Sequence, residues 1–145
     1  MLFPYIAENN SAEIPCYIVK KEEYKNHLYI IFSIEGRHPT AYVRVNESEK
    51  WFDMDYDKIS DFWMGCKPHG GFTFSGFVSE PFEEQKETYW IGWDYAHFGD
   101  YESYPLNGIL SMVDGAKKWT IEEIEADCIK VIDYMESLNE STNNE

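Results

Sequence analysis

The chain has 145 residues, a formal net charge of −15 and an aromatic content of 17%. This length predicts a single domain, residues 1–145, and the aromatic content argues against disorder. Its 12 basic and 27 acidic residues argue against direct binding of nucleic acid, because phosphate binding depends on Lys and Arg. The same charge suits a basic partner, such as a protein groove that holds DNA or RNA, or only a well-solvated surface.

The cysteine count and the N-terminus indicate where the protein works. Three cysteines with no framework spacing give no sign of an oxidising compartment. The first residues, MLFPYIAENN, lack the basic and apolar regions of a signal peptide. No apolar run approaches the ~20 residues that span a bilayer. We therefore expect a cytoplasmic protein with no membrane partner.

The first half of the chain predicts an antiparallel meander. Residues 15–20, 27–34 and 40–45 are rich in β-branched and aromatic residues and are separated by polar or Gly/Pro punctuation. Residues 51–63 mix aromatic residues with four aspartates. This segment predicts a loop with a short helical turn.

Two further strands are predicted in the middle of the chain. Residues 71–78 alternate phenylalanine with Thr and Ser, which is the period of a strand. Residues 87–94 are apolar on both faces, which predicts a central strand. The polar segment 79–87 between them predicts a hairpin loop, and residues 98–118 are irregular.

The C-terminus predicts one amphipathic helix. Thr120 and Glu123 have the spacing of a capping box. Apolar residues then recur at spacings of three and four as far as Leu138, and residues 139–145 predict a frayed polar tail. The predicted fold is α+β, an antiparallel sheet of about five or six strands with this helix packed on one face.

Histidines and carboxylates are concentrated around the last two predicted strands. His69 opens the first strand, and Asp94, His97 and Asp100 follow the end of the second. If the strands pair antiparallel, these ends lie side by side and the four side chains come together. Imidazole and carboxylate suit zinc, or manganese or iron in an open site. The alternatives are a metal-free catalytic site, or groups that only satisfy loop amides and one another.

The remaining histidines and cysteines carry weaker signals. Cys66 stands three residues before His69 and could add a thiolate ligand, although a lone Cys beside Gly is more often a small buried residue. Cys128 is expected in the core, and His27 and His38 on the surface. The tryptophans favour core packing over a binding platform. No phosphate loop, nucleophile elbow or dinucleotide fingerprint occurs, and we assign no catalytic residue.

The segments HGGFTFSG and WIGWDYAHFGDY, residues 69–76 and 90–101, resemble a motif pair found in a family of small phage and prophage proteins. The strong match covers about residues 69–101, and the chain departs from many relatives at Lys67 and Tyr95, where they carry Asp and Cys. The family has no assigned activity. The resemblance implies a phage setting, in which small acidic proteins often act against host defence. It also implies kinship with a zinc-containing inhibitor of type II-A CRISPR nucleases.

These observations lead to a first hypothesis, a phage-encoded acidic inhibitor of a type II CRISPR effector nuclease. A structural zinc would pin the 69–76 strand start to the 94–100 loop. The acidic surface would occupy the positively charged channel that holds the guide–target duplex and would block loading of target DNA. This protein would act in the host-cell cytoplasm by protein–protein contact. Its candidate contact residues are Glu122, Glu123, Glu125 and Asp127.

Two alternatives remain open at the level of sequence. One is a metal-dependent hydrolase, in which the metal keeps a water-bearing position and Asp100 acts as general base. The other is a virion or replication accessory protein without a metal.

Overall fold

The computed structural model describes residues 16–34, 38–80, 83–95, 105–106, 109–110 and 117–143. Five strands form one antiparallel sheet: β1 (Cys16–Tyr24), β2 (His27–Ile34), β3 (Pro39–Val45), β4 (Phe74–Glu80) and β5 (Glu83–Asp94). The described helices are α1 (Tyr56–Phe62) and α2 (Ile121–Asn143), and two short strands, β6 (Pro105–Leu106) and β7 (Ile109–Leu110), pair with each other. The predicted α+β fold, with a C-terminal helix packed on the sheet, is confirmed.

The order of strands in the sheet is β1-β2-β3-β5-β4, with all pairs antiparallel. The predicted meander of β1, β2 and β3 is confirmed, and so is the central position of β5, which pairs with both β3 and β4. The predicted hairpin loop at 79–87 was too long. Both strands extend into that segment, with Ser79 opposite Glu87, because ladder hydrogen bonds join backbone groups whatever side chains they carry.

Both faces of the sheet are buried. Side chains alternate along each strand, so neighbouring residues enter different clusters. The helix-covered face joins α2 through a cluster that includes Tyr29, Ile31, Val43, Ile91, Trp93, Ile124, Cys128, Val131, Ile132 and Met135. The opposite face carries a second cluster of Leu28, Ile30, Phe32, Tyr42, Val78 and Trp90. Cys128 and four of the five tryptophans (Trp51, Trp63, Trp90 and Trp93) are buried, which confirms the predicted core placement.

One glycine in the central strand makes room for an aromatic ring. Gly92 lies directly opposite Tyr42 in the β3–β5 ladder. A Cβ at Gly92 would lie 2.4 Å from Cδ1 of Tyr42 and 3.1 Å from the carbonyl oxygen of Ala41. The Tyr42 ring is held edge-on by Phe32 and Phe74, both at 5.7 Å between centroids. The sheet therefore requires glycine at this position.

Helix α2 begins with the predicted capping box. The Thr120 hydroxyl accepts a hydrogen bond from the Glu123 backbone at 3.2 Å, and Glu123 accepts one from the Thr120 backbone at 3.1 Å. The helix continues to Asn143, so the predicted polar tail at 139–145 begins too early. Asn139, inside the predicted tail, donates to the Glu49 carboxylate at 2.7 Å, which ties the last turns to the domain. Neither described helix is long and apolar enough to cross a lipid bilayer.

Candidate functional site

The two motif segments meet as the predicted hairpin requires. β4 and β5 are antiparallel, with Phe74 opposite Gly92, and the Thr73 backbone donates to the Gly92 carbonyl at 2.9 Å. The start of the first motif thus lies beside the end of the second. His69 and Asp94 are described in this region, whereas His97 and Asp100 lie outside the described residues.

His69 packs in an aromatic junction on the helix-covered face. Its ring stacks on Tyr95 at a centroid distance of 5.2 Å and an interplanar angle of 10°. Trp119, just before α2, lies 4.5 Å from the His69 ring and 5.1 Å from the Tyr95 ring. The Asp127 carboxylate, on the first turns of α2, lies 3.4 Å from the His69 backbone nitrogen that donates to it. We call His69, Tyr95, Trp119 and Asp127 the aromatic junction.

A buried phenol completes the junction. Tyr95 is fully buried, donates to Asp127 at 2.7 Å and accepts from the Trp93 indole at 3.1 Å. Burial raises the pKa of Tyr95 well above its ordinary value of 10.0; the Trp93 bond opposes this shift and the Asp127 bond adds to it. The phenol therefore stays protonated and acts as a fixed donor to Asp127. These contacts hold β5, residues 69–73 and α2 together, so Tyr95 has a structural role.

Asp94 points away from this junction. Along β5, Trp93 and Tyr95 enter the helix-covered cluster, whereas Trp90 enters the opposite one. By strand alternation Asp94 belongs to the opposite face, where its carboxylate accepts from the Thr73 hydroxyl at 3.1 Å. The described residues do not test the predicted zinc site, because His97 and Asp100 lie outside them, and the site of His69, Asp94, His97 and Asp100 stays a prediction. Cys66, its possible additional ligand, is a free, half-buried thiol.

A second polar cluster, which the sequence did not reveal, holds α2 against the sheet. His27 opens β2 after a tight turn in which Lys25 and Asn26 both have positive φ. Its Nε2 lies 2.8 Å from the Glu49 carboxylate, and its Nδ1 lies 2.9 Å from the Lys25 carbonyl oxygen. Glu136 of α2 lies 3.5 Å from the same Nδ1. We call His27, Glu49 and Glu136 the histidine clip.

Two members of the clip, His27 and Glu49, are buried, which makes the predicted surface position of His27 wrong. His27 is 0% exposed, and His38, also expected on the surface, is 6% exposed. Glu49 also accepts from the Asn46 backbone nitrogen at 2.7 Å. Together with the bond from Asn139, this arrangement ties α2 to the turn that follows β3. The residues come from three separate segments of the chain, which is why spacing alone gave no signal.

Among the described residues, the histidine clip is the one group of at least three His, Cys, Asp or Glu side chains whose ligand atoms all lie within 4.8 Å. A metal takes a lone pair from one ring nitrogen. Here Nε2 faces Glu49 while Nδ1 faces the Lys25 carbonyl and Glu136, so the two carboxylates lie at different nitrogens. Nε2 also lies 3.4 Å from the Asn46 amide nitrogen, but its nearer partner is the Glu49 carboxylate, so both nitrogens have an acceptor within 2.9 Å, which is the environment of an imidazolium that donates twice. The clip fits a buried ion pair better than a metal centre.

The pKa shifts in the clip agree with that assignment. Burial lowers the pKa of His27, but its hydrogen bond to Glu49 and the charge of that carboxylate outweigh the burial, so the pKa lies above its ordinary value of 6.5. Burial raises the pKa of Glu49, but the bonds from His27, Asn139 and the Asn46 backbone outweigh it and hold the pKa below 4.5. Charge on each partner therefore stabilises charge on the other.

The predicted contact residues of α2 are partly engaged inside the molecule. Glu123 pairs with Lys117 at 2.6 Å in addition to its capping bonds. Glu125 pairs with Lys20 at 2.5 Å and accepts from the Tyr29 hydroxyl at 2.6 Å. The bond from Lys20, followed by that from Tyr29, lowers the pKa of Glu125. Asp127 belongs to the aromatic junction, and the side chain of Glu122 is exposed.

A different acidic surface is more open. Residues 53–61, which we call the aspartate segment, carry four aspartates and one lysine, and all four aspartates are exposed: Asp53, Asp55, Asp57 and Asp61. Asp55 caps α1 by accepting from the Asp57 backbone at 3.2 Å. No lysine, arginine or histidine in the described part of the chain lies within ion-pair distance of these four carboxylates. The run of aspartates was visible in the sequence, but its exposure was not.

No protein-family model, curated protein or solved structure matches this chain.

Proposed function

We propose that this protein is a non-enzymatic binding protein that occupies a basic, nucleic-acid-binding surface of another protein. The observation that carries this proposal is the aspartate segment, where four exposed carboxylates are concentrated beside one lysine. The net charge of −15 adds a long-range field of the same sign. Such a field speeds association with a positive surface and repels nucleic acid itself.

The partner that we propose is a type II CRISPR effector nuclease, and the resemblance of the two motif segments to a phage protein family supports this choice. Nucleases of this class hold the guide–target duplex in a positively charged channel. An acidic protein bound in that channel would compete with target DNA for the same cationic side chains. The proposal uses protein–protein contact alone and requires no metal ion.

The test is target cleavage by purified, guide-loaded type II nucleases, with this protein added before or after the DNA. Blocked loading predicts inhibition when the protein is added first and none when the DNA is already bound. No inhibition at any excess, across several orthologous nucleases, would overturn the proposed partner.

A charge-matched pair of variants tests the surface. The first changes all four aspartates of the aspartate segment to asparagine, which preserves the N-cap at Asp55 because asparagine caps as well as aspartate. The control changes four exposed glutamates elsewhere to glutamine: Glu22, Glu23, Glu47 and Glu140. We expect inhibition to weaken by at least about tenfold in the first variant and to change little in the control. Equal losses in both would show that net charge acts without a specific surface.

A further inference from the structure

The C-terminal end of α1 displays a methionine in an unfavourable backbone conformation. Met64 follows Trp63, the C-cap residue of α1, and has a φ of +50°. Glycine or asparagine usually occupies this position, because a side chain in the left-handed region clashes with its own backbone. Gly65 comes one residue later, with a φ of +93°. Met64 therefore has a backbone conformation that glycine, the residue that follows it, would adopt with less strain.

Burial does not compensate for this conformation. The Met64 residue is 89% exposed, and Phe62 beside it is 44% exposed. The Phe62 ring contacts two neighbours, Trp51 at 5.9 Å between centroids and the Lys50 ammonium at 4.0 Å from the ring centre. We call Phe62 and Met64 the apolar knob. Phenylalanine and methionine are both enriched in the buried centres of protein interfaces, so this exposed pair suits such an anchor.

Acidic groups precede the apolar knob along the chain. Asp57 and Asp61 of the aspartate segment are exposed on α1 itself, and Asp53 and Asp55 lie just before it. The negative charge of Asp53 and Asp55 also acts inward, where it adds to the effect of burial in raising the pKa of Tyr89. An apolar group next to an acidic segment is complementary to an apolar depression next to basic groups.

We propose that the apolar knob is the anchor by which this protein docks on a positively charged protein surface, with Met64 inserted into an apolar depression and the aspartate segment on neighbouring cations. This inference rests on the proposed function and names the surface that carries it. The negative charge of the aspartate segment determines which kind of partner can bind at the apolar knob. A second copy of this chain would bring the same acidic segment, and phosphates of nucleic acid or of anionic lipid would be repelled, whereas a basic protein is attracted.

The backbone of Met64 allows a test in which binding and stability separate. Met64→Gly and Met64→Asn remove the anchor and supply residues that tolerate positive φ. We expect their melting temperatures to stay equal to or rise above that of the parent protein. Affinity for a guide-loaded type II nuclease, measured by biolayer interferometry, should fall by at least about tenfold. The control is Val19→Thr on β1, where the exposure of 37% is close to that of Phe62, and it should keep full affinity.

The outcomes separate this inference from the function on which it rests. If the parent protein binds a nuclease and both Met64 variants bind equally well, the apolar knob is not the anchor, although the proposed function stands. If the parent protein binds none of the nucleases, the proposed function fails. The anchor is then judged with a short arginine-rich peptide that carries one central leucine, compared with the same peptide carrying alanine. Amide shifts at residues 61–65 that depend on both leucine and Met64 would support the anchor, and shifts elsewhere would overturn it.

Discussion

Replacing His27 by alanine is expected to lower the free energy of unfolding by about 3 kcal/mol near neutral pH. The change leaves the Glu49 side chain, which is 4% exposed, without its imidazolium partner at 2.8 Å. Removing one member of a buried ion pair costs about 3–5 kcal/mol, because the other charge remains buried. Glu49 keeps its bonds from Asn46 and Asn139, both at 2.7 Å, so we expect the lower end of that range.

The assay is urea unfolding followed by tryptophan fluorescence, since most of the tryptophans are buried and report on the folded core. The control is Lys25→Ala, which breaks an exposed ion pair with Asp133 at 2.8 Å, two residues before His27. Exposed pairs contribute little to stability, so this control should leave the midpoint nearly unchanged. A His27→Ala protein as stable as the parent would refute the assignment of His27 and Glu49 as a buried ion pair.

The pH dependence of stability tests the charge states of His27 and Glu49. The pKa of His27 is raised above 6.5 in the folded protein, so its contribution is complete below 6.5 and is lost as the pH rises through the folded-state value. The pKa of Glu49 is lowered below 4.5, so its contribution is complete above 4.5 and is lost as the pH falls through the folded-state value. The stability difference between the parent protein and His27→Ala should therefore be largest between these two pH values. A difference that grows with rising pH would indicate a neutral His27, as a metal ligand requires, and would refute the imidazolium.

Two further predictions rest on single contacts, and a third concerns the predicted zinc site. Gly92→Ala should lower the free energy of unfolding by about 1–3 kcal/mol, because the new methyl group meets the confined Tyr42 ring, and a control at an exposed strand position should have little effect in the same urea assay. Tyr95→Phe should cost about 1–3 kcal/mol, because a buried indole loses its acceptor and Asp127 loses its donor; an unchanged midpoint would contradict a structural role for the phenol. If the predicted zinc site exists, natively purified protein will contain stoichiometric zinc by elemental analysis and His97→Ala will lose it, whereas metal-free native protein would exclude the site.

Most of the secondary structure could be predicted from short-range patterns in the sequence. Enrichment in β-branched and aromatic residues identified strands β1 to β3, period-two alternation identified β4, continuous apolarity identified the central β5, and the capping box fixed the start of α2. These signals are local because they reflect burial of one or both faces of a single element. Strand and helix ends were less accurate, at 79–87 and at 139–143, because backbone pairing and a side-chain bond to Glu49 extend these elements beyond their apolar residues.

The two motif segments show what short-range sequence patterns could not predict. The sequence correctly placed the start of β4 beside the end of β5, and so His69 near the residues that follow β5. Strand alternation already places the side chains of Asp94 and Tyr95 on opposite faces of the sheet, but a strand that is apolar on both sides does not indicate which of these faces the helix covers. His69 therefore stacks on Tyr95 and Trp119, while Asp94 contacts Thr73.

The sequence by itself determined the fold class, the order of most elements, the core placement of four tryptophans and the strong negative charge, since each follows from composition or from a period along the chain. Only the tertiary structure decided which charges are available. It paired His27 with Glu49 across 22 residues, engaged Glu125 with Lys20, and left Asp57, Asp61 and Met64 exposed. The physical reason is that a charge or an apolar side chain becomes a buried tie or an open contact according to its partners in space, and those partners lie on other elements of the fold.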